Sequence, residues 1–498
     1  MALLNDLEGG IPLASLVPRF PPDTHVPPGN NAPLGRSSLD EFDAHHLVTW
    51  DGENDRRNPK NWPAWRRWSL VVFLSLMAFG VSLGSTMMIP AVTKILDDAK
   101  FGVPREGMPT FVVSVYLLGF AIGPLFAAPI SEVYGRSFVY GASILLYMFA
   151  TVFCAIAPNV EGLVTFRFFA GFFGSVPLTL GASSIGDVMR TDSPHTGKAM
   201  ALWSTGSLVG PTVAPVIGGF ICESADWRSM FWFHAAVMIA ISLIFTCFLS
   251  ETYGPVLLER KASKLRGRTG DKAYFVLGRR HKSGRNMVKN EFFRPLKLLF
   301  TSPLLLILSF AVAVIFGFHQ MIATTLAWIY QIRYEMRTGL SGLTYLGDGL
   351  GIILGALAVP AASDRYIAHK KKQNKPIKPE HRLWLIVPGT ILTAVGLFWY
   401  GWAVQKDAHF LVPISGLVFF GFGVMAVLQS AAVYLVEAFP VHSASVLAGS
   451  YFLRSLFGAL LPLGWGNSLL GIVALMMLPG LTILVKLAEG MRHRTNAA

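Results

Sequence analysis

Two charged side chains, Arg167 and Asp348, lie inside long apolar stretches of the sequence. A charge among apolar residues is costly unless it has a partner or meets water, so each is a candidate for function. Asp348 could carry a proton, attract a cation or only stand near the end of its stretch. Arg167 could be functional by the same argument, with a partner or a water-filled cavity beside it. Because Arg167 lies near the start of its stretch, its long side chain could instead reach a polar boundary.

Uncharged polar and aromatic side chains in other apolar stretches are candidates to line a cavity. Histidine titrates in the physiological range, but a lone histidine among apolar residues, such as His234 or His319, is more often a packing partner. Arg454 is a further polar residue inside such a stretch. The expected cavity residues are Tyr116, Phe120, His319, Gln320, Trp328, Gln429 and Tyr434.

A short motif occurs twice, as GPLFAAPISEVYGR from Gly123 to Arg136 and as GALAVPAASDR from Gly355 to Arg365. A duplicated motif at half-chain spacing predicts two similar halves. A carboxylate at a helix end could pair with a loop arginine and latch the halves in one state, although a simple polar turn would have the same residues. The expected gate residues are Glu132, Gly135, Arg136, Asp364, Arg365 and Glu437.

The segment GSLVGPTVAPVIGG has small residues at every fourth position and two prolines. Small residues on one helix face let another helix approach closely, and prolines bend the axis. Ordinary close packing is one interpretation of this segment, and a specialised bent helix is the other. Its residues are Gly206, Gly210, Pro211, Ala214, Pro215, Gly218 and Gly219.

The composition excludes several classes of protein. The 498 residues are 53% hydrophobic and 14% charged, which is too little charge to cover a water-soluble core. The net charge of +13 is concentrated in 251–302 and 363–382, so it indicates basic loops beside a membrane and not a nucleic-acid surface. No spacing of a metal site, cofactor site or nucleophile–base pair is present, so an enzyme is the least expected class.

Apolar stretches of about 20 residues can cross a bilayer as helices. Basic residues ahead of the first stretch place the N-terminus in the cytoplasm, and an even number of crossings returns the C-terminus there. The segment 462–467 leaves an unusually short connection between the last two spans. The twelve predicted spans are 68–90, 110–130, 138–158, 162–184, 198–221, 229–250, 303–328, 341–361, 383–403, 410–436, 444–463 and 466–486.

The long basic segment divides the spans six and six. We therefore expect an all-α membrane protein with two six-helix bundles around a central cavity. The predicted organisation is a disordered cytoplasmic tail at 1–65, an N-terminal bundle at 66–250, a basic cytoplasmic linker at 251–302, a C-terminal bundle at 303–486 and a cytoplasmic tail at 487–498.

Several of these motifs resemble those of the major facilitator superfamily. The segment ending at Gly135 and Arg136 is similar in part to the family's cytoplasmic loop signature. Arg167 and Gly171 match its RxxxG motif, which is associated there with proton coupling. The segment 206–219 resembles the GxxxGPxxGG motif of its drug:proton antiporters. NPKNWP, SETYGPVLLERKASKLR and YLVEAFPVHSASVLA look like strings of the fungal twelve-span members.

The resemblance implies a plasma-membrane exporter that exchanges protons for small amphipathic or cationic compounds, such as drugs, toxins, secondary metabolites or polyamines. It implies a monomer whose partners are the lipid bilayer, the substrate and protons. The sequence has no Walker A motif, so ATP is not the expected energy source. Two alternatives are an importer of a nutrient or vitamin, against which the 206–219 motif counts, and a membrane sensor without transport.

Overall fold

The computed structural model describes residues 46–52, 54–96, 108–189, 194–248, 250–271, 273–276, 294–373, 378–439 and 443–460. Helices α1 to α11 follow predicted spans 1 to 11. Span 12 at 466–486 and the short connection at 462–467 lie outside the described residues. The bounds are α1 Ala64–Thr86, α2 Met108–Tyr134, α3 Arg136–Ala155, α4 Val160–Val188, α5 Pro194–Ser224, α6 Arg228–Phe248, α7 Pro303–Arg333, α8 Tyr345–Lys372, α9 Ile386–Gln405, α10 Leu411–Ala438 and α11 Ser443–Leu460.

Most of these helices are long enough to cross a membrane. Within the described ranges, nine helical segments have the necessary length and apolar character, and α6 and α11 each contain a shorter apolar segment. Local signals set some of the starts. The Asn159 side chain accepts a hydrogen bond from the Gly162 amide at the start of α4, and the Ser302 side chain accepts one from Leu305 at the start of α7.

We call the side where α1 begins and α2 ends the tail face, and the opposite side the far face. Hydrogen bonds join the two halves at the far face. The Gln331 side-chain amide donates to the Pro90 carbonyl at 2.8 Å, and the Gly339 amide donates to the Glu223 carboxylate at 2.9 Å. Gly339 belongs to the far-face helix, Thr338–Leu343. An apolar core that includes Met87 and Tyr330 also spans both halves.

At the tail face, a linker helix follows α6 at Gly254–Thr269. The Val48 amide donates to the Phe275 carbonyl at 2.9 Å, and the Lys261 ammonium donates to the Thr49 carbonyl at 2.8 Å. Val48, Ala262 and Val276 form a small apolar cluster between these segments. Part of the segment predicted as a disordered tail, 1–65, therefore has a defined position, because a basic amphipathic helix provides it with an apolar and hydrogen-bonding partner.

Candidate functional site

The two charged or titratable groups predicted separately in spans 7 and 8 lie together. His319 Nε2 is 2.9 Å from Asp348 Oδ2, and the two side chains are only 16% and 14% exposed. The other polar atoms of the pair, His319 Nδ1 and Asp348 Oδ1, are buried without a hydrogen-bond partner among the described residues. A buried imidazole–carboxylate pair of this geometry can hold or exchange a proton.

Aromatic rings and a close backbone contact fix the pair in place. The His319 ring stacks on Phe420 with ring centroids 6.1 Å apart, and lies 5.9 Å from the ring of Phe316. Gly421 of α10 approaches so closely that a Cβ there would lie 2.8 Å from Asp348 Oδ1. These three neighbours could not be recognised from the sequence, because none belongs to a motif.

Arg167 is buried and does not extend to a polar boundary. Its side chain donates to the Gly84 carbonyl at 2.9 Å and to the Ser85 carbonyl at 3.1 Å. Both carbonyls belong to the last turn of α1, where a cation is favourable because carbonyl groups there lack helical partners. The guanidinium also lies over the Tyr116 ring at 4.9 Å. Arg167 therefore joins α4 to α1.

A chain of polar groups lies beside Arg167 in the N-terminal half. The Tyr116 hydroxyl lies 3.0 Å from the Val81 carbonyl and 3.3 Å from the Tyr147 hydroxyl, which is 2.7 Å from His234 Nε2. Tyr116, Tyr147 and His234, with Arg167, line a cavity of about 20 Å³, enough for about one water molecule. Arg167 Nε and His234 Nδ1 are buried there without protein partners among the described residues. His234 thus belongs to a polar cluster, which its isolated position in the sequence did not indicate.

The small-residue face of α5 packs directly on α1. A Cβ at Gly210 would lie 2.8 Å from the Phe79 carbonyl oxygen. A Cβ at Gly206 would collide with the Ser75 carbonyl of α1, and one at Gly218 with the carbonyl of Met87, which directly follows α1. Pro215 has no amide hydrogen, so it leaves the Pro211 carbonyl without its helical donor. The hydroxyl of Thr86 donates to this carbonyl at 3.1 Å and joins α1 to the interrupted helix.

The far-face half of α5 also meets the C-terminal half. Gly219 lies against the Thr338 carbonyl, with 2.7 Å from an ideal Cβ to that oxygen. Gly342 lies against the Pro215 backbone and Gly349 of α8 against the Thr212 side chain. The predicted close packing of the 206–219 segment is therefore present, and it occurs at the junction of the two halves.

The arginine of the first repeated motif binds within its own half. Arg136 donates to the Ser131 hydroxyl at 2.8 Å and pairs with Asp187, near the end of α4, at 3.2 Å. Gly135 allows the turn, since its φ is +101° and a Cβ would collide with the Glu251 carboxylate. Glu132 is half-buried in the last turn of α2. Among the described residues, Arg136 makes no hydrogen bond or ion pair with the C-terminal half.

The buried carboxylate of Glu251 caps the start of α3. It accepts hydrogen bonds from the Arg136 amide at 2.9 Å and from the Ser137 hydroxyl at 2.9 Å, and the Thr252 and Tyr253 amides also donate to it. A carboxylate at this position satisfies amides that have no helical partner. Glu251 belongs to the family-like string SETYGPVLLERKASKLR, but its sequence position alone gives no indication of this capping role.

The second motif has a different arginine partner from the one expected. Asp364 pairs with Arg382 at 2.6 Å, and Arg382 also donates to the Ser363 hydroxyl and pairs with Glu437, each at 3.0 Å. Arg365 is exposed. Asp187 and Glu437 occupy matching positions, near the ends of the fourth helix of each half. Because Glu437 was a predicted gate residue, this correspondence could have indicated Asp187 from the sequence.

The remaining predicted cavity residues have different environments. Gln320 and Tyr434 are buried, Gln429 is half-buried, and the half-buried Phe120 ring lies 4.8 Å from that of Tyr116. Trp328 is 54% exposed, on the same helix face as the exposed Ile332. Among the seven expected cavity residues, His319 contacts Asp348 directly.

Comparison with known proteins agrees with this architecture. The family model of the Major Facilitator Superfamily matches residues 74–462. The MFS-type transporter penM of Penicillium rubens is 41% identical over 441 residues, which are 86% of each chain. The efflux pump radE of Floropilus chiversii is 37% identical over 90% of this chain and 86% of its own. The MFS-type transporter hepF of Aspergillus oryzae is 36% identical over 94% and 98%.

Solved structures show the same fold at low sequence identity. A peptide transporter POT in complex with sulfate has a TM-score of 0.63 at 14% identity, covering 91% of this chain and 98% of its own. The partially occluded inward open conformation of the xylose transporter XylE from E. coli has a TM-score of 0.60 at 15% identity, covering 83% and 97%.

The fold and its buried polar groups are those of a multi-pass membrane transporter and not of an enzyme. The chain belongs to the Major Facilitator Superfamily.

Proposed function

We propose that this protein exports small amphipathic molecules, secondary metabolites among them, across the plasma membrane in exchange for protons. The observation that carries the coupling is the buried His319–Asp348 pair, a titratable site between two transmembrane helices. Proton binding to the pair changes its charge and its hydrogen bond. Such a change can bias a transporter between its two access states.

Export is supported by the name of a relative, since radE is described as an efflux pump. The structure is consistent with a state that is closed at the far face, where hydrogen bonds and apolar packing join the halves. With the tail face in the cytoplasm, as the basic loops favour, such a state would receive substrate from inside the cell. The domain boundaries predicted above, with both termini cytoplasmic and a monomer as the working unit, belong to the same proposal.

Arg136 and Arg382 are proposed to shape the cytoplasmic gate. In this structure each arginine joins the ends of two helices of its own half at the tail face. Closing the tail face would bring the two clusters towards each other, and their arginine and carboxylate groups could then exchange partners. Arg167 is proposed to support proton coupling indirectly, since its hydrogen bonds fix the end of α1 against α4.

The proposal is tested with inside-out vesicles from a yeast strain lacking its own drug pumps. A panel of fluorescent amphipathic compounds is screened for uptake driven by an acidic lumen, and a protonophore is then added. We expect protonophore-sensitive uptake in the wild type, with most of it lost in Asp348→Asn and His319→Gln. Uptake that the protonophore leaves unchanged would remove the coupling claim, and no uptake of any compound would remove the transport claim.

Asp407→Asn is the matched control for Asp348→Asn. Asp407 is also ion-paired, 2.6 Å from Arg333, but it is exposed at the far face. Its hydrogen bond with Arg333 lowers the pKa of Asp407, so this carboxylate stays ionised across the assay range and cannot serve as a proton carrier. We expect this variant to transport at the wild-type rate.

A further inference from the structure

Among the residues that the structure describes, Arg454 of α11 has no acidic partner. Its guanidinium carbon lies 4.8 Å from the centre of the Phe316 ring and 4.5 Å from that of Tyr451. Its Nε atom is buried and makes no hydrogen bond to a described residue. Aromatic faces attract a cation, but they do not neutralise its charge. A charge kept in this environment is therefore a candidate for binding a ligand of opposite sign.

The Arg454 side chain lies on the face of α11 where the two halves meet. Residues four apart share one helix face, and Gly458 is four residues beyond Arg454. A Cβ at Gly458 would lie 2.8 Å from the Phe316 ring and 3.3 Å from Leu117 of α2, in the other half. Arg454 thus faces the junction between α2, α7 and α11.

This junction adjoins the His319–Asp348 pair, because the Phe316 ring that contacts Arg454 lies 5.9 Å from the His319 ring. The Asp348 carboxylate there is already hydrogen-bonded to His319. Among the described residues of this region, the charge of Arg454 is the one left without a compensating group. A cationic ligand would be repelled by Arg454 and would compete with His319 for Asp348.

We propose that Arg454 is the anion-recognition residue of the transport site, and that the transported compounds are amphipathic carboxylates with an aromatic or apolar body. A guanidinium binds a carboxylate through two parallel hydrogen bonds, and the Phe316 and Tyr451 rings provide apolar surface beside it. The proposal rests on the proposed export function and narrows its substrate class.

The test is equilibrium binding to the purified full-length protein in lipid nanodiscs at about pH 7.5. Three fluorescent probes share one pyrene body: anionic pyrenebutyrate, neutral pyrenebutanol and cationic pyrenebutylamine. We expect the wild type to bind pyrenebutyrate at least about tenfold more tightly than pyrenebutanol, and pyrenebutylamine most weakly. Arg454→Gln should weaken pyrenebutyrate binding to the level of pyrenebutanol, whereas Arg454→Lys should retain part of the preference.

Two controls separate recognition from folding. Pyrenebutanol binding by Arg454→Gln should stay within about twofold of the wild type, which shows that the site is intact. Lys264→Gln removes an exposed cation from the linker helix and should leave all three affinities unchanged. A wild type that binds the anion no better than the other probes, or an Arg454→Gln variant that keeps the preference, would overturn the proposal.

Binding does not require transport, so the two proposals fail separately. Charge preference at Arg454 together with no flux in vesicles would refute export alone. Flux without charge preference would refute the role of Arg454 alone.

Discussion

Arg136 and Arg382 take equivalent positions in the two halves. Each guanidinium donates to the serine near the tail end of the second helix of its half and pairs with a carboxylate near the end of the fourth. The repeated sequence motif thus corresponds to a repeated ionic cluster. Arg136 is the last residue of its motif, whereas Arg382 is 19 residues beyond Ser363, in the short 3₁₀ helix Pro379–Leu385 that precedes α9.

Arg382→Gln should impair the C-terminal cluster more than Arg365→Gln. The first change leaves Asp364 and Glu437 without their cation, and the second removes an exposed charge. For a partly exposed cluster we expect a stability loss of about 1 kcal/mol and a clear fall in efflux. Thermal unfolding in detergent and vesicle uptake measure these effects. Equal losses in the two variants would contradict the assignment of Arg382.

Glu251→Ala should destabilise the N-terminal half by roughly 1–2 kcal/mol, because α3 loses its cap and the adjoining amides lose their acceptor. Glu251→Gln keeps an acceptor but removes the charge, so a smaller loss is expected. Thermal unfolding of both variants tests this order. A Gln variant that unfolds at the same temperature as the Ala variant would assign the effect to charge and not to capping geometry.

Gly210→Ala should separate α5 from α1, since the added Cβ would lie 2.8 Å from the backbone oxygen of Phe79. Overpacking of this kind costs about 1–3 kcal/mol, and we expect a lower unfolding temperature and reduced efflux. Gly141→Ala in α3 is the control, because nothing lies within 4 Å of its added Cβ. The control should be neutral or stabilised by up to about 1 kcal/mol through helix propensity.

Arg167→Ala should lower the yield of folded protein, because the Gly84 and Ser85 carbonyls lose buried donors at about 1–3 kcal/mol each. Arg167→Lys keeps a cation that can reach one of them, so it should recover part of the folded yield. Fluorescence-detected size exclusion measures this recovery. An Arg167→Ala protein that folds as well as the wild type but transports without pH dependence would show a direct role in proton chemistry.

The helices were predictable because backbone groups in an apolar environment must bond within their own segment. The predicted span 138–158 and the observed Arg136–Ala155 differ by two or three residues at each end. The partners of charged side chains were less predictable. Arg365 directly follows Asp364 in the sequence, yet the two point in different directions on the helix. Arg382, from the 3₁₀ helix before α9, makes the contact.

The contact between His319 and Asp348 also depends on tertiary packing. Hydropathy identified both as polar residues in apolar spans, but it contains no information on how helices rotate about their axes. The same limit explains why Trp328, predicted in a cavity, is on an exposed face beside Ile332. Small residues were more informative, since Gly210 and Gly218 indicated close helix contact by their spacing alone.

The linker helix is held in place near both of its ends. Just before it, the Glu251 carboxylate accepts a hydrogen bond from the Arg136 amide, and beyond its end the Phe275 carbonyl accepts one from the Val48 amide. At the start of the C-terminal half, the Pro295 carbonyl lies against Gly449, 3.0 Å from an ideal Cβ there. A fluorescent reporter inserted within 277–293 would leave every described contact intact. One inserted within Gly254–Thr269 would disrupt the linker helix that these two hydrogen bonds hold in place.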